Sequence, residues 1–216
     1  ILWLLMLTTK LIGKSAHVSN MSKEEFMAIT DVAEEEGLFD GKETRVIKNM
    51  LVFEKVKAKD IMTPFSVAVT EDENTTIEQF YLTHKNLKFS RIPVYSKKSN
   101  NITGFILKDD VLEEMLNQKG REPLSRLKME IPIISEDTPI PELFDKFIQK
   151  RTHLSAVVDQ YGNTIGLVTM EDIIETLLGL EIMDESDNVE DMQLMARKNW
   201  EQRARKLGIL KDKKNE

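Results

Sequence analysis

A hydroxyl and a carboxylate stand three residues apart at a point where an apolar run gives way to a helix-like apolar stripe. In "GLVTMEDIIETLLG", residues 166–179, Thr169 ends the apolar run and Asp172 follows in the first turn of the stripe. Thr-x-x-Asp at a helix start is a common cap, worth about 1 kcal/mol. The same groups can instead hold a ligand, since a carboxylate accepts hydrogen bonds and a helix N-terminus favours negative groups. Both interpretations remain open at this point.

Composition limits the class of protein. The 216 residues are 41% hydrophobic, which suffices for one large or two small globular domains. Cysteine is absent, which excludes disulfide scaffolds, thiol catalysis and Cys-based zinc sites and fits a reducing compartment. The net charge of −7 argues against a general nucleic-acid-binding protein. The sequence has no Walker-type loop, Gly-x-Ser-x-Gly elbow or His-Glu-x-x-His motif. We therefore do not expect an enzyme.

The middle of the chain contains an internal repeat. "GFILKDDVLEEML" (104–116) aligns with "GLVTMEDIIETLL" (166–178), so that Gly104 matches Gly166 and Asp110 matches Asp172 at a constant shift of 62. Upstream, "SRIPVYSKKSNNITG" resembles "HLSAVVDQYGNTIG" more loosely. Repeated supersecondary units of this kind bury their core by packing against each other.

Within each unit the hydrophobic period changes in a fixed order. A short strand ("VAVT", 67–70, or "PIIS", 132–135) precedes a helix, a β-hairpin and a second helix. The predicted fold is therefore α/β, with two β-α-β-β-α repeats at residues 58–120 and 121–180 and helices on one side of each sheet. Two such units related by a pseudo-twofold axis bury their sheets against each other and leave clefts, which are default ligand sites.

An acidic helical segment is predicted at residues 15–57, before the repeats. Two short helices are separated by "GLFDG", and Ser22 with Glu25 forms a capping box for the first of them. The acidic residues between Asp31 and Glu43 predict a solvated helix face. Clustered carboxylates can also attract a hard cation such as Mg²⁺, which is the alternative.

The two ends of the chain carry distinct signals. Residues 1–14 are apolar but shorter than the ~20 residues of a complete membrane span. They predict a buried or interfacial helix, or the last turns of a membrane helix with Lys10 and Lys14 on the cytoplasmic side, and the absence of a start methionine favours the second. Residues 181–216 predict a charged C-terminal helix or tail that packs on the protein rather than on an anionic membrane surface.

The motifs "DIMTP", "SRIPVY", "HLSAVVDQYG" and "GLVTMEDIIE" together resemble a cystathionine-β-synthase-type (CBS) domain pair, or Bateman module. With the acidic segment before the pair, the resemblance narrows to the CNNM/CorC family, hemolysin-like membrane proteins linked to export of magnesium and other divalent cations. It covers roughly residues 20 to 190. The family's transmembrane domain is expected upstream of Ile1, and its C-terminal transporter-associated domain has no counterpart after about residue 190. The chain is thus expected to be a cytosolic fragment or a short-tailed member.

The resemblance implies a site for an adenine nucleotide. Asp172 would accept hydrogen bonds from the ribose hydroxyls, Thr169 and the helix start would face the phosphates, and Arg91 from the facing repeat would bind phosphate oxygens. His153 would lie beside the nucleotide, although a lone His is often structural. An apolar slot that includes Ile92 and Pro93 would hold the adenine, and the alternative is that these residues are core at a sheet edge. The implied nucleotide-binding residues are Ile61, Met62, Thr63, Ser90, Arg91, Ile92, Pro93, His153, Thr169 and Asp172.

The first repeat has Leu107 where the second has Thr169, so one nucleotide site per chain is predicted. The ligand would be ATP, or ADP or AMP, with Mg²⁺ carried on the phosphates and not held directly by the protein. The resemblance implies a homodimer formed through CBS pairs, on the cytoplasmic face of the cell membrane, that controls efflux of Mg²⁺ or Co²⁺ by a membrane domain. The alternative is a CBS module that only dimerises and binds no ligand.

Overall fold

The structure is a computed structural model that describes residues 21–85, 87–179 and 199. The chain divides into two compact units, residues 1–51 and residues 52–216. No helix among the described residues is long and apolar enough to cross a membrane. The predictions for residues 1–14 lie outside the described residues, as do those for residues 181–216 apart from Asn199.

Between residues 21 and 52 the chain forms two helices, α1 (Lys23–Glu35) and α2 (Gly41–Val52). The predicted capping box is present at the start of α1, where Ser22 and Glu25 bond each other's backbone N–H. Gly37 lies in the break between the helices at a φ of 78°, a conformation that glycine adopts without strain. The prediction of two short helices split by a glycine-containing break is confirmed.

The second unit has the predicted order of strands and helices. A 3₁₀ turn (Phe53–Lys55), α3 (Ala58–Ile61) and β1 (Thr63–Pro64) come first. Repeat one comprises β2 (Glu71–Asp72), α4 (Ile77–Thr83), β3 (Arg91–Tyr95), β4 (Ile102–Leu107) and α5 (Lys108–Leu116). After a 3₁₀ turn (Leu124–Arg126), repeat two comprises β5 (Ile133–Ser135), α6 (Ile140–Lys150), β6 (Leu154–Val158), β7 (Thr164–Thr169) and α7 (Met170–Leu178).

The β-α-β-β-α pattern is confirmed in both repeats. The first strand of repeat one is misplaced in the sequence-based prediction, since it lies at Glu71–Asp72 and not at residues 67–70. Val67 instead ends a turn over residues 65–67, and the backbone N–H groups of Val67 and Ala68 donate to the carbonyls of Pro64 and Phe65. The apolar residues at 67–70 therefore predicted a strand that the structure does not contain.

The two sheets exchange short segments. Repeat one has the strand order β2-β3-β4, and repeat two has the order β1-β7-β6-β5. Although β1 lies at the start of repeat one, before β2, it pairs with β7, where Thr63 is opposite Leu167. Reciprocally, Met129 lies at the start of repeat two, before β5, but forms a bridge with Phe105 of β4. We call β1 with the residues just before it, and the stretch around Met129, the crossing segments. Each of them pairs with the sheet of the other repeat.

Matched glycines make room for the crossing segments. A Cβ on Gly104 would lie 2.4 Å from the Met129 carbonyl oxygen, and one on Gly166 would lie 2.8 Å from the Thr63 carbonyl oxygen. Both separations are far shorter than an ordinary van der Waals contact. Glycine is therefore required at these positions because another backbone passes close by.

Each repeat has its own core between sheet and helices, and a third core joins the two sheets. Ile77, Phe80, Ile92 and Ile106 belong to the core of repeat one. The core of repeat two is formed by the buried residues Ala58, Ile134, Ile140, Leu143, Phe147, Val157, Val168 and Ile173. The third cluster takes Ile102 and Phe105 from repeat one and Leu154, Ala156 and Leu167 from repeat two, together with Ile131, just before β5. The predicted burial of the two sheets against each other is confirmed.

Candidate functional site

Thr169 and Asp172 form a complete capping box at the start of α7. Oδ2 of Asp172 accepts hydrogen bonds from the backbone N–H and the hydroxyl of Thr169, at 2.6 and 2.8 Å. In return, the Thr169 hydroxyl accepts from the backbone N–H of Asp172 at 3.2 Å. The capping interpretation of the pair is confirmed. Because an oxygen accepts about two hydrogen bonds, a ligand that used this oxygen would displace the Thr169 hydroxyl.

Four more of the predicted site residues lie in segments that contact β7 or α7. Thr63 lies in β1, which pairs with the same strand that ends at Thr169. Ile61 and Met62 are partly buried and pack on the core of repeat two. The backbone carbonyl of His153 accepts a hydrogen bond from the N–H of Met170, the first residue of α7. The fold thus gathers residues from three separate stretches of the sequence at one end of β7.

The other predicted residues, Ser90–Pro93, lie on the sheet of repeat one. Arg91 is half-buried and stands opposite Leu107, while the Ser90 carbonyl accepts from the N–H of Lys108. Pro93 is buried. The side chain of Ile92 is fully buried in the core of repeat one, which leaves it no surface for an adenine ring. For this residue the structure supports the alternative role of a core side chain.

Repeat one lacks the polar cap. Leu107 occupies the N-cap position of α5 and makes no side-chain capping hydrogen bond. Lys108, which matches Met170 in the repeat alignment, donates from Nζ to the carbonyl of Leu87 at 2.6 Å. The difference between Leu107 and Thr169 therefore has the structural consequence that the sequence alignment predicts.

The acidic segment offers no metal cluster among its described residues. Residues 21–85, 87–179 and 199 contain no group of three or more His, Asp or Glu side chains that could hold an ion. Asp31 pairs with Lys48, and Asp40 caps α2 by accepting from the N–H groups of Lys42 and Glu43. Those backbone hydrogen bonds lower the pKa of Asp40. These carboxylates serve as helix caps and ion pairs.

Three hydroxyls outside the predicted set are buried without a partner among the described residues, that of Thr44 in α2 and those of Thr152 and Ser155 in repeat two. Ser155 lies in β6 and is 0% exposed. The sequence indicates Ser155 as unusual because it is a polar residue within the apolar run of "HLSAVVD".

Comparison with protein families identifies the two repeats. The profile of the CBS domain matches residues 58–117 and 125–179, which is more than half of the chain. The chain therefore belongs to the CBS domain family and carries a tandem pair of these domains, preceded by helices.

Individual relatives narrow the relationship. The UPF0053 protein MG146 of Mycoplasma genitalium is 32% identical over 195 residues, which cover 90% of this chain and 46% of that protein. The magnesium and cobalt efflux protein CorC of Escherichia coli K12 is 26% identical over 196 residues, covering 90% of this chain and 67% of CorC. This chain spans about half the length of the curated relatives that it matches first.

Solved structures agree with this relationship. The CBS domain of a bacterial CNNM/CorC family Mg²⁺ transporter superposes with a TM-score of 0.69 at 29% identity, over 76% of this chain and 99% of that one. A structure of such a CBS domain in complex with ATP gives a TM-score of 0.61 at 26% identity, over 64% of this chain and 99% of the other. The CBS pair is thus related to the CBS region of CNNM/CorC transporters. Since these relatives are transporters and not enzymes, the prediction of a non-enzymatic module is confirmed.

Proposed function

We propose that this chain is the cytosolic regulatory module of a divalent-cation efflux transporter and that it binds one adenine nucleotide, Mg-ATP, in repeat two. The observation that carries the proposal is the cluster at the end of β7, where the Thr169–Asp172 cap lies beside β1 and His153. A related CBS domain, 26% identical, has been solved in complex with ATP.

The groups in and around this cluster match the chemistry of a nucleotide. The carboxylate of Asp172 can accept hydrogen bonds from a ribose diol, and the first N–H groups of α7 can face phosphate. Ile61 and Met62 offer apolar surface for the base, since both are only partly buried. Arg91, on the other sheet, would supply a planar cation for phosphate oxygens.

Magnesium would enter with the ligand. The protein has a net charge of −7, so a nucleotide that carries its own counter-ion meets less repulsion than free ATP. Mg²⁺ commonly keeps its waters and binds substrate phosphates. No protein ligand to the ion is proposed.

The module would act as a homodimer below a membrane transport domain. Large apolar side chains on α4 and α5 of repeat one are exposed, among them Tyr81, Leu82, Leu112 and Leu116. Exposed apolar groups on neighbouring helices are typical of protein interfaces. Nucleotide binding would bias the orientation of the two CBS pairs, by as much as the affinities for the two orientations differ. The membrane domain would be the remainder of a longer protein at the cytoplasmic face of the cell membrane.

Isothermal titration of the chain with ATP in the presence of Mg²⁺ tests the nucleotide site. Asp172→Asn keeps a side chain that can cap α7 but removes the charge, and we expect it to weaken ATP binding by about tenfold. Asp110→Asn at the matched position of repeat one is the control and should leave binding unchanged. Wild-type protein that dimerises but takes up no ATP would replace this proposal with the scaffold alternative.

A further inference from the structure

Repeat two contains a cavity of about 330 Å³ that is separate from the predicted nucleotide site. It lies between β5, the start of β6 and the C-terminal half of α6. None of the ten predicted nucleotide-binding residues lines it. Its volume is at the lower end of the range of small-molecule pockets, which is roughly 300–1,000 Å³.

The buried part of the cavity carries hydroxyls that lack partners. Both Ser155, which is fully buried, and Thr152 line the cavity, and neither hydroxyl has a hydrogen-bond partner among the described residues. Buried polar groups in native proteins almost always have partners, because an unpaired one retains the full cost of its desolvation. A molecule in the cavity can supply those partners.

Repeat one shows that the fold does not require this cavity. Ser155 stands opposite Val168 in the β6–β7 pair, just as Ile92 stands opposite Ile106 in the β3–β4 pair. Ile92 is fully buried in the core of its repeat. Repeat one thus has a buried isoleucine at the position where repeat two has Ser155.

The remaining surfaces of the cavity define what it can hold. The apolar part of its wall includes Ile131, Ile134 and Phe147, all of them buried. Its exposed rim carries Lys146, Lys150 and Glu130. Lys146 is paired with Glu142 at 2.7 Å, whereas Lys150 makes no ion pair with any residue that the structure describes.

We propose that this cavity binds a small amphipathic organic anion. A hydrogen-bonding group at the buried end of the ligand pairs with the hydroxyls of Thr152 and Ser155, an apolar body contacts Phe147 and Ile134, and the anionic group lies at Lys150. This ligand site is independent of the nucleotide proposal, since the two share no residue.

The probe is 4-hydroxybenzoate, which has a phenol, a ring and a carboxylate in that order. It is titrated into the ¹⁵N-labelled full chain, and amide chemical shifts are followed with two matched probes. One is 4-hydroxybenzyl alcohol, which lacks the charge, and the other is inorganic phosphate, which lacks the body. We expect saturable shifts at residues 131–134 and 152–155 with 4-hydroxybenzoate, weaker binding of the alcohol by about threefold, and no shifts there with phosphate.

Three variants complete the test. Ser155→Val removes the buried hydroxyl and fills space, and it should weaken 4-hydroxybenzoate binding by about tenfold or more. Lys150→Gln, on the exposed rim, should weaken it by about threefold without affecting the fold. Lys85→Gln, at an exposed lysine of repeat one, is the control for bulk charge and should have no effect.

The proposal is overturned if no saturable shift appears at millimolar probe, where binding would be worth only about 4 kcal/mol. It is overturned equally if phosphate and 4-hydroxybenzoate shift the same amides, or if Lys85→Gln weakens binding as much as Lys150→Gln does. If Asp172→Asn loses ATP binding but still binds 4-hydroxybenzoate, the cavity site is supported. The same result shows that the nucleotide proposal and the cavity proposal can be tested independently.

Discussion

The two repeats share one order of strands and helices, yet they use matched positions for different purposes. Gly104 and Gly166 serve the same end in both, because each lets a crossing segment pass close to its backbone. Leu107 and Thr169 do not, since only the threonine builds a capping box. Ile92 and Ser155 differ further, since one completes a core and the other lines a cavity. Positions that define the fold are thus duplicated, while the positions of Thr169 and Ser155 in repeat two are apolar in repeat one.

Substitutions at the two matched positions, Ile92→Ser and Ser155→Val, should give the largest difference between the repeats. Ile92→Ser removes a fully buried side chain and leaves a hydroxyl in an apolar core, so we expect a loss of about 4 kcal/mol in the free energy of unfolding. Ser155→Val fills space in repeat two and removes an unpaired hydroxyl, so its effect should lie between zero and a gain of about 1 kcal/mol. Urea unfolding followed by circular dichroism measures both.

If the two substitutions destabilised the protein equally, the core of repeat two would be as tightly packed as that of repeat one. The cavity would then have no structural basis.

The matched residues of the two repeats also show which parts of the fold can be predicted from the sequence. The shift of 62 between Gly104 and Gly166 reveals the repeats, because matched periodicity needs no knowledge of distant contacts. The exchange of β1 and Met129 is not visible in the sequence, since two-residue strands leave almost no periodic signal. The same limit explains the misplaced first strand of repeat one.

The candidate site was predictable only in part. Thr169 and Asp172 share one turn of helix, so their spacing predicts the capping box directly. Burial of Ile92 depends on which face of β3 packs on the helices. A one-residue change of register reverses that face. The two unpaired hydroxyls of repeat two depend on packing between β5, β6 and α6, which no local pattern encodes.

The glycine pair gives a prediction of intermediate size. Gly104→Ala would place its Cβ against the carbonyl of Met129. The backbone groups of Met129 and Phe105 form two hydrogen bonds with each other, at 2.8 and 3.0 Å. Gly166→Ala would first meet Sδ of Met62 at 2.6 Å, and that flexible side chain can move aside, although the Thr63 carbonyl cannot. We expect losses of about 3 kcal/mol at Gly104 and about 1–2 kcal/mol at Gly166.

Hydrogen exchange distinguishes this mechanism from general destabilisation. The N–H of Met129 should exchange faster in Gly104→Ala than in Gly166→Ala once global stability is taken into account. Equal protection in the two variants would show that the Met129 bridge does not depend on the glycine.

The smallest effect concerns the ion pairs that tie each crossing segment to the other repeat. Lys128 donates to Glu73 of repeat one at 2.5 Å, and Thr103 donates to the same oxygen at 2.7 Å. Lys128 is the main cause that lowers the pKa of Glu73 to about 2. In repeat two, Lys57 and Lys59 bond Asp137 at 2.9 and 3.0 Å and lower its pKa, but all three side chains are largely exposed.

Because the pKa of Glu73 is lower in the folded protein, its stabilising contribution is complete above the ordinary glutamate value of 4.5 and is lost as pH falls from there towards 2. Lys128→Met should therefore cost about 1–2 kcal/mol at pH 7 and progressively less between pH 4.5 and 3. Lys59→Met should cost less than Lys128→Met, and added salt should remove that cost, since exposed pairs are screened. Urea midpoints at several pH values and two salt concentrations give both numbers. Equal costs in the two variants would mean that burial of Glu73 and its bond from Thr103 add nothing to the ion pair, and that the two crossing segments are held alike.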